Sequence, residues 1–224
     1  MSSAEYTIES VESKPFAQIS YILWRQGRHD ALVIDPGFDP DSILAILAAH
    51  GRRPAAILNT HGHADHIAGN EAMKEAFPDA PLIIGRNEAF LLRDPEANLS
   101  APFGLPIASP AAERLVDDGE RIDLAGFQLE VREIPGHSPG SVVFLCAEYD
   151  PPFVFGGDVL FAGSIGRTDL GGDMPQLLEG IRTKLFPLPD RAVIYPGHGR
   201  PTTIGEEKRS NPFVGQPAPY VNPS

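Results

Sequence analysis

Apolar and polar residues along the chain follow two different periods, and their alternation predicts sheets covered by helices. Short runs rich in β-branched and aromatic residues, bounded by glycine, proline or aspartate, predict strands. These runs are residues 19–24, 31–34, 55–59, 82–84, 127–134, 142–146, 153–155 and 192–195. Strands precede and follow helical segments in both halves of the chain, so the pattern indicates an α/β fold.

Three segments have helical periodicity. The clearest helix has Asp39 as its N-cap, Pro40 at its first position and a stop at Gly51. A second helix is predicted after His66, and its buried side carries Met73, Ala76 and Phe77. A third begins at Asp173, and its predicted apolar face consists of Met174, Leu177, Leu178, Ile181 and Leu185.

Two segments are predicted to lack regular structure. Residues 94–110 are rich in proline and small residues, which indicates a long surface loop and a candidate lid. Residues 211–224 contain four prolines and are predicted to form an extended or loosely docked tail. The sequence therefore predicts one domain over residues 1–210, followed by this tail.

Composition narrows the class of protein. Hydrophobic residues make up 42% of the 224 residues, which is enough for a packed core. A net charge of -12 argues against nucleic acid or an anionic membrane as partner. The first residues have no signal-peptide pattern and no apolar run is long enough for a membrane span. We therefore expect a cytoplasmic protein with a small-molecule substrate, either alone or as a homo-oligomer. The single cysteine, Cys146, lies in an apolar run and is predicted to be a buried structural thiol.

Residues 60–66 contain four candidate metal ligands. The predicted strand 55–59 runs directly into Thr-His-Gly-His-Ala-Asp-His, so His61, His63, Asp65 and His66 fall within six residues. Neutral imidazoles and carboxylates are the ligands of zinc and other borderline divalent metals. His61 and His63 are two residues apart and project to the same side of an extended chain, whereas Asp65 and His66 can serve a neighbouring ion.

Further candidate ligands follow three other predicted strands. Each strand ends in a glycine-containing turn and then one polar residue: His137, Asp158 or His198. Five of the seven histidines fall in these motifs, and the other two, His29 and His50, are interpreted as structural. Seven candidate ligands exceed what one tetrahedral zinc uses, so we expect about two ions, zinc first, with iron or manganese as alternatives.

These motifs resemble those of the metallo-β-lactamase superfamily, and more narrowly its short, single-domain, glyoxalase II-like (hydroxyacylglutathione hydrolase-like) members. The shared segments are 60–66, 135–140, 157–158, 166–169 and 196–199. The resemblance implies a four-layer αβ/βα sandwich with the metals at one edge between two sheets. It implies a first metal on His61, His63 and His137, a second on Asp65, His66 and His198, and a bridging Asp158. In this family pattern, Asp65 and Asp158 are the catalytic carboxylates.

The same resemblance implies hydrolysis of thioesters, with S-D-lactoylglutathione as the first substrate to test. Full-length glyoxalase II has a helical extension that contacts glutathione, whereas 26 residues follow His198 here (224 minus 198). We therefore expect weak recognition of glutathione. Arg167 is a candidate for contact with a substrate carboxylate, and the alternative is a structural ion pair with Asp169.

Two other activities stay open at this stage. The segment Gly166-Arg167-Thr168-Asp169 also resembles persulfide dioxygenases, which would hold a single iron through His61, His137 and Asp158. Members of that branch carry a cysteine where this chain has Ile165, which favours the hydrolase. Lactonase activity stays open because the fold hosts several hydrolases. A non-catalytic binding module is disfavoured because no ligand is missing.

Overall fold

The computed structural model describes residues 6–215, and its framework is two six-stranded sheets and a two-stranded ribbon. The first sheet has the order β1-β2-β3-β4-β5-β6. Its strands are β1 (Tyr6–Ser13), β2 (Gln18–Arg25), β3 (Asp30–Ile34), β4 (Arg53–Asn59), β5 (Leu82–Gly85) and β6 (Arg114–Val116). Strands β3 to β6 are parallel to one another, and β1 and β2 complete the sheet as an antiparallel hairpin.

The second sheet has the order β14-β13-β10-β9-β8-β7. Its strands are β7 (Arg121–Leu124), β8 (Phe127–Glu133), β9 (Val142–Cys146), β10 (Phe153–Gly157), β13 (Val193–Pro196) and β14 (Thr202–Thr203). The ribbon consists of β11 (Leu160–Phe161) and β12 (Ser164–Ile165). Strands β10 and β13 are parallel, and the other pairs of this sheet are antiparallel.

Helices cover the outer faces of both sheets. They are α1 (Pro40–Ala49), α2 (Ala64–Ile67), α3 (Asn70–Ala76), α4 (Met174–Gly180) and α5 (Ile204–Ser210). Two 3₁₀ helices span Arg86–Arg93 and Ala101–Phe103, and a π-helical turn over Ile181–Leu185 continues α4.

Three apolar clusters separate these layers. The central cluster joins the facing sides of the two sheets, with Leu32, Leu58 and Ile83 from the first sheet and Phe144 and Phe155 from the second. An outer cluster packs α1 and α3 on the first sheet, and a third packs α4 and α5 on the second. This is the four-layer αβ/βα sandwich that the sequence predicts.

Each predicted strand is present, with its ends moved by two residues at most. The capped helix is also confirmed: the Asp39 carboxylate accepts a hydrogen bond from the Ser42 N–H, with Pro40 as the first helical residue. Cys146 is fully buried, as predicted. Six strands and α5 were not predicted: β1, β6, β7, β11, β12, β14 and Ile204–Ser210.

Four local expectations differ from the structure. Ala76 is exposed, although it was predicted to lie on the buried side of its helix. The helix after His66 is split into α2 and α3 at Gly69, whose backbone packs so closely on Pro36 and Gly37 that a Cβ there would lie 2.6 Å from the Gly37 carbonyl oxygen. Met174 is 43% exposed rather than part of the buried face of α4, because it sits at the first position of the helix beside the solvent. Residues 94–110 contain a 3₁₀ helix and the fully buried Asn98, so this segment is more than a surface loop.

The predicted tail is described only as far as residue 215. Val214 joins the cluster on the outer face of the second sheet, and the Asn211 side chain donates to the Ser164 carbonyl and to Glu207. Residues 211–215 thus pack on the domain, and the rest of the predicted tail lies outside the described residues. Over residues 6–215, no helix has the length and apolar character needed to cross a membrane.

Candidate metal centre

All seven predicted ligands meet at one edge of the molecule, between the two sheets. Strand β4 ends at Asn59 and delivers His61 and His63 directly, and Asp65 and His66 lie in the following helix α2. Three strands of the second sheet end at the same edge. His137 follows β8, Asp158 follows β10 and His198 follows β13.

The first group of ring nitrogens comes from both sheets. His63 Nδ1 lies 2.9 Å from His137 Nε2, and His137 Nε2 lies 3.3 Å from His61 Nε2. Together the three residues offer ligand atoms within 4.8 Å of one another. This is the set that the family resemblance implies for a first metal.

The second group consists of Asp65, His66 and His198, whose ligand atoms also lie within 4.8 Å of one another. His198 Nε2 is 3.2 Å from Asp65 Oδ2, and His66 Nε2 is 4.0 Å from the same oxygen. Asp158 lies between the groups. Its Oδ1 is 3.3 Å from His66 Nε2, and its Oδ2 is 3.5 Å from the Nε2 atoms of both His137 and His198.

Two of these atoms lack the hydrogen bonds that burial normally demands. His66 Nε2 and Asp158 Oδ1 are buried, face each other, and have no hydrogen-bond partner within the described residues. A buried polar atom without a partner is unfavourable unless something else satisfies it. A divalent cation between these atoms would satisfy both, so the donor set fits a metal.

The protonation states of the centre favour the same conclusion. Burial and the neighbouring imidazoles lower the pKa of His61 far below its ordinary value and that of His63 to about 3, which leaves both rings neutral with free lone pairs. Burial alone would raise the pKa of Asp158, but the charge of His66 outweighs it and the pKa is lowered. Asp158, Asp65 and Asp35 outweigh burial at His66 and raise its pKa, so this group of carboxylates attracts positive charge.

Hydrogen bonds to the Nδ1 atoms fix the orientations of three of the imidazole rings. His66 Nδ1 donates to Asp35 Oδ2 at 2.9 Å, His137 Nδ1 donates to the Arg167 carbonyl at 2.8 Å, and His198 Nδ1 donates to the Phe16 carbonyl at 3.2 Å. Such partners set the tautomer and aim the other nitrogen at the metal.

Asp35 was not identified from the sequence, although a signal was present. It lies directly after strand β3, as the predicted ligands lie after other strands, but it precedes the Pro36-Gly37 turn and does not follow it. Its carboxylate also accepts hydrogen bonds from the Thr60 N–H at 2.7 Å and the Thr60 hydroxyl at 2.6 Å. Asp35 therefore fixes both His66 and the residue that precedes His61.

Glu88 is a second buried carboxylate that the sequence did not identify. It lies in the 3₁₀ helix Arg86–Arg93 and accepts hydrogen bonds from the Gly62 N–H at 2.8 Å, the Gly140 N–H at 2.6 Å and the Ser138 hydroxyl at 2.8 Å. Burial raises its pKa above the ordinary value. Because Gly62 separates His61 from His63, and Ser138 follows His137, Glu88 ties together the two loops of the first ligand group.

A cavity of about 220 Å³ opens above the centre. Its floor is formed by His63, Asp65, His137, Asp158 and His198. Its wall includes Phe16, Leu99, Phe103 and Leu170. Asn98, Leu99 and Phe103 belong to the segment 94–110 that was predicted as a candidate lid.

Arg167, the predicted substrate contact, also lines this cavity. Its guanidinium makes two hydrogen bonds of 2.8 Å to the carboxylate of Asp169. The ion pair that the sequence offered as the alternative is therefore present, at the mouth of the cavity.

Several known proteins are similar to this chain in sequence and in fold. The family model described as the metallo-beta-lactamase superfamily matches residues 14–198. The hydroxyacylglutathione hydrolase GloC of Haemophilus influenzae is 39% identical over 213 residues, which cover 92% of this chain and 97% of GloC.

Three solved structures are similar over most of their length. BLEG-1, a B3 metallo-β-lactamase, has a TM-score of 0.88 at 37% identity, with 93% of this chain and 99% of its own covered. TTHA1623, solved in a di-iron-bound form, has a TM-score of 0.80 at 35% identity, with 92% and 100% covered. ETHE1 from Myxococcus xanthus has a TM-score of 0.77 at 28% identity, with 93% and 84% covered.

The fold, the grouped imidazoles and carboxylates, and these similarities all indicate the same family. The family match runs from the first hairpin to His198 and so includes every residue of the centre. The chain belongs to the metallo-β-lactamase superfamily and is a metallo-hydrolase of that fold.

Proposed function

We propose that this metallo-hydrolase cleaves thioesters with two divalent ions, zinc being the first candidate. The observation that carries the proposal is the pair of ligand groups with Asp158 between them, since Asp158 has one oxygen beside His66 and the other beside His137. The similarity to GloC, a hydroxyacylglutathione hydrolase, supports a thioester as the substrate class.

Each ligand group has a defined part in the proposal. His61, His63 and His137 would hold one ion, Asp65, His66 and His198 the other, and Asp158 both. When bound, such a pair of ions supplies a water whose pKa is lowered toward about 7 and polarises the carbonyl under attack. Asp35 and Glu88 would keep the ligand loops in place while the charge of the reacting group changes.

The lining of the cavity supports a thioester as the substrate. Outside the ligand groups, Arg167 is the one titratable residue among the described residues that line it. A general acid for the leaving group is therefore not available there. A thiol has a pKa of about 8.5 and leaves as the thiolate without protonation, so a thioester needs no such acid. S-D-lactoylglutathione is the first substrate we propose to test.

Metal analysis combined with two activity assays tests the proposal. We expect about two zinc ions, or two of iron or manganese, per chain under metal-replete conditions, together with thioester hydrolysis. A single iron per chain with oxygen consumption and no hydrolysis would instead support a persulfide dioxygenase.

One observation favours that second candidate. His61 Nε2 and Asp158 Oδ2 lie 3.3 Å and 3.5 Å from His137 Nε2, so two histidines and one carboxylate are close enough to bind a mononuclear iron. Oxygen consumption with a glutathione persulfide separates the two functions, and a lactone assayed beside the thioester tests lactonase activity.

A further inference from the structure

We propose that Phe16, Leu99, Phe103 and Leu170 form a binding site for an apolar substituent of the thioester, and that the enzyme prefers such substrates to charged ones. We call these four residues the apolar wall. The inference rests on the proposed thioester hydrolysis, and it adds the chemical class of the group that flanks the scissile bond.

The apolar wall lines the same cavity as the candidate metal ligands. Phe103 is 61% exposed and Leu170 is 44% exposed, although side chains of this size are normally buried. Phe103 is nevertheless held in place, since its ring packs edge-on against Phe16 with 5.5 Å between the ring centroids. Apolar side chains around a few polar groups are the usual lining of a small-molecule site.

The backbone of Leu99 provides an independent observation. Its φ is +66°, a left-handed conformation that is unfavourable for a bulky residue and that clusters at ligand-binding sites. The neighbouring Asn98 holds the segment there, because its side-chain amide donates to the Leu91 and Ile107 carbonyls. The Asn98 carbonyl also accepts from the Ala64 N–H at the start of α2, which fixes Leu99 relative to Asp65 and His66. The fold therefore keeps a leucine side chain at the cavity in spite of a backbone cost.

The charges around the cavity disfavour an anionic substituent. Arg167 is the one arginine or lysine among the described lining residues, and its Nε and Nη2 atoms are already paired with the carboxylate of Asp169. A carboxylate of a glutathione moiety would have to compete with Asp169 for Arg167, whereas an apolar group gains by leaving water.

A substrate series tests the proposal on the metal-loaded enzyme. One arm uses acetyl, butanoyl and hexanoyl thioesters of the neutral thiol N-acetylcysteamine, and the other uses acetyl thioesters of ethane-, butane- and hexanethiol. We expect kcat/KM to rise about two- to fourfold per added methylene in one arm. The arm that rises identifies whether the acyl or the thiol side contacts the apolar wall. We also expect the longest neutral thioester to exceed S-D-lactoylglutathione in kcat/KM.

Leu99→Asn is the decisive variant, because asparagine tolerates the left-handed backbone and replaces only the apolar surface. It should flatten the rise with chain length at unchanged metal content. The matched control is Leu105→Asn, in the same segment, where the leucine is 49% exposed and does not line the cavity. A second pair, Phe103→Ser with Phe90→Ser as its control, repeats the comparison with aromatic residues that are 61% and 55% exposed.

Failure of the inference and failure of the proposed function give different results. If the enzyme hydrolyses S-D-lactoylglutathione but kcat/KM does not rise with chain length in either arm, the proposed role of the apolar wall is wrong and the proposed thioesterase activity stands. Absence of all hydrolysis would overturn the thioesterase. In that case calorimetric titration with S-hexyl and S-methyl N-acetylcysteamine, which are uncleavable thioethers, still tests the wall: equal affinity overturns it, and tighter binding of the hexyl compound that Leu99→Asn removes supports it.

Discussion

Asp158 is the residue on which both ligand groups depend. It reaches His66 with one carboxylate oxygen and His137 and His198 with the other, and it is 8% exposed. Removal of this carboxylate would leave the positive charge of the two proposed ions less compensated in a site of low dielectric.

We predict that Asp158→Ala abolishes hydrolysis and lowers the content of both metals, while the fold is retained because the three apolar clusters do not include Asp158. Elemental analysis, turnover and circular dichroism measure the three effects. Asp123→Ala, at an exposed position of β7, is the control. Near-wild-type turnover and metal content in Asp158→Ala would show that the ligand assignment is wrong.

Glu88 orients the ligand loops but is not itself a candidate ligand, so its removal should reduce activity less than the removal of Asp158. Glu88→Ala leaves the Gly62 and Gly140 N–H groups without their acceptor, at about 1–3 kcal/mol for each buried group, whereas the Ser138 hydroxyl keeps its contact with the Ser141 hydroxyl. We predict a loss of about 10- to 100-fold in metal affinity or activity, the usual range for residues that orient ligands.

Metal titration monitored by activity, together with denaturant unfolding, checks the prediction for Glu88. Glu75→Ala, on the exposed face of α3, is the control and should change neither quantity. A Glu88→Ala protein with lowered stability but unchanged metal affinity would show that Glu88 supports the fold alone.

At the scale of elements, Gly157 at the end of β10 packs against Thr60, the residue that follows β4. Gly157 has a φ of +47°, and a Cβ there would collide with the side chain of Thr60, the residue before His61. Strands of the two sheets thus approach each other through a glycine at the point where they deliver Asp158 and His61.

We predict that Gly157→Ala lowers metal content and activity, because the added methyl group pushes the ends of β10 and β4 apart. Gly163→Ala is a matched control, since Gly163 has a φ of +72° and open space around the Cβ position. Both variants should lose about 1–2 kcal/mol of folding free energy from the backbone alone. Equal activity in the two variants would show that the contact with Thr60 is without consequence.

The elements that the sequence predicted well are those with a local signal. Strands such as β4 and β9 are buried over most of their length and read as continuous apolar runs. Edge strands escaped prediction, since β1 alternates polar residues along Tyr6–Ser13 and β6 and β14 have only three and two residues.

The same distinction applies to the candidate site. The proximity of the seven candidate ligands was predictable because each lies just beyond the end of a strand in a recognisable motif. Glu88 was not, because its partners Gly62 and Gly140 are distant in sequence and only the fold brings them together. The apolar wall was equally hidden, since Phe16, Leu99 and Leu170 come from three separate connections.

At the scale of the whole molecule, the core and the metal centre are separate. Cys146 lies between the two sheets, is fully buried, and has its thiol pKa raised by burial. Its reaction with a thiol reagent therefore requires that the sheets separate.

We predict that chelation abolishes activity but leaves Cys146 unreactive, because the clusters that hold the sheets together contain none of the seven ligands. The measurement is the labelling rate of the single cysteine with Ellman's reagent, with and without a chelator and then in denaturant. Labelling should become fast only in denaturant. Fast labelling on chelation alone would mean that the metals hold the fold together.

The two sheets also divide the chain at one place. Strands of the first sheet end at Val116 and those of the second begin at Arg121, so a cut between them leaves two fragments with a complete sheet each. The first fragment carries His61, His63, Asp65 and His66, and the second carries the three remaining ligands. Each fragment alone would expose half of the central apolar cluster, which gives the pair a strong tendency to associate. Hydrolytic activity would then appear only when both pieces are present, so this fold can serve as a split reporter whose signal is the completed metal centre.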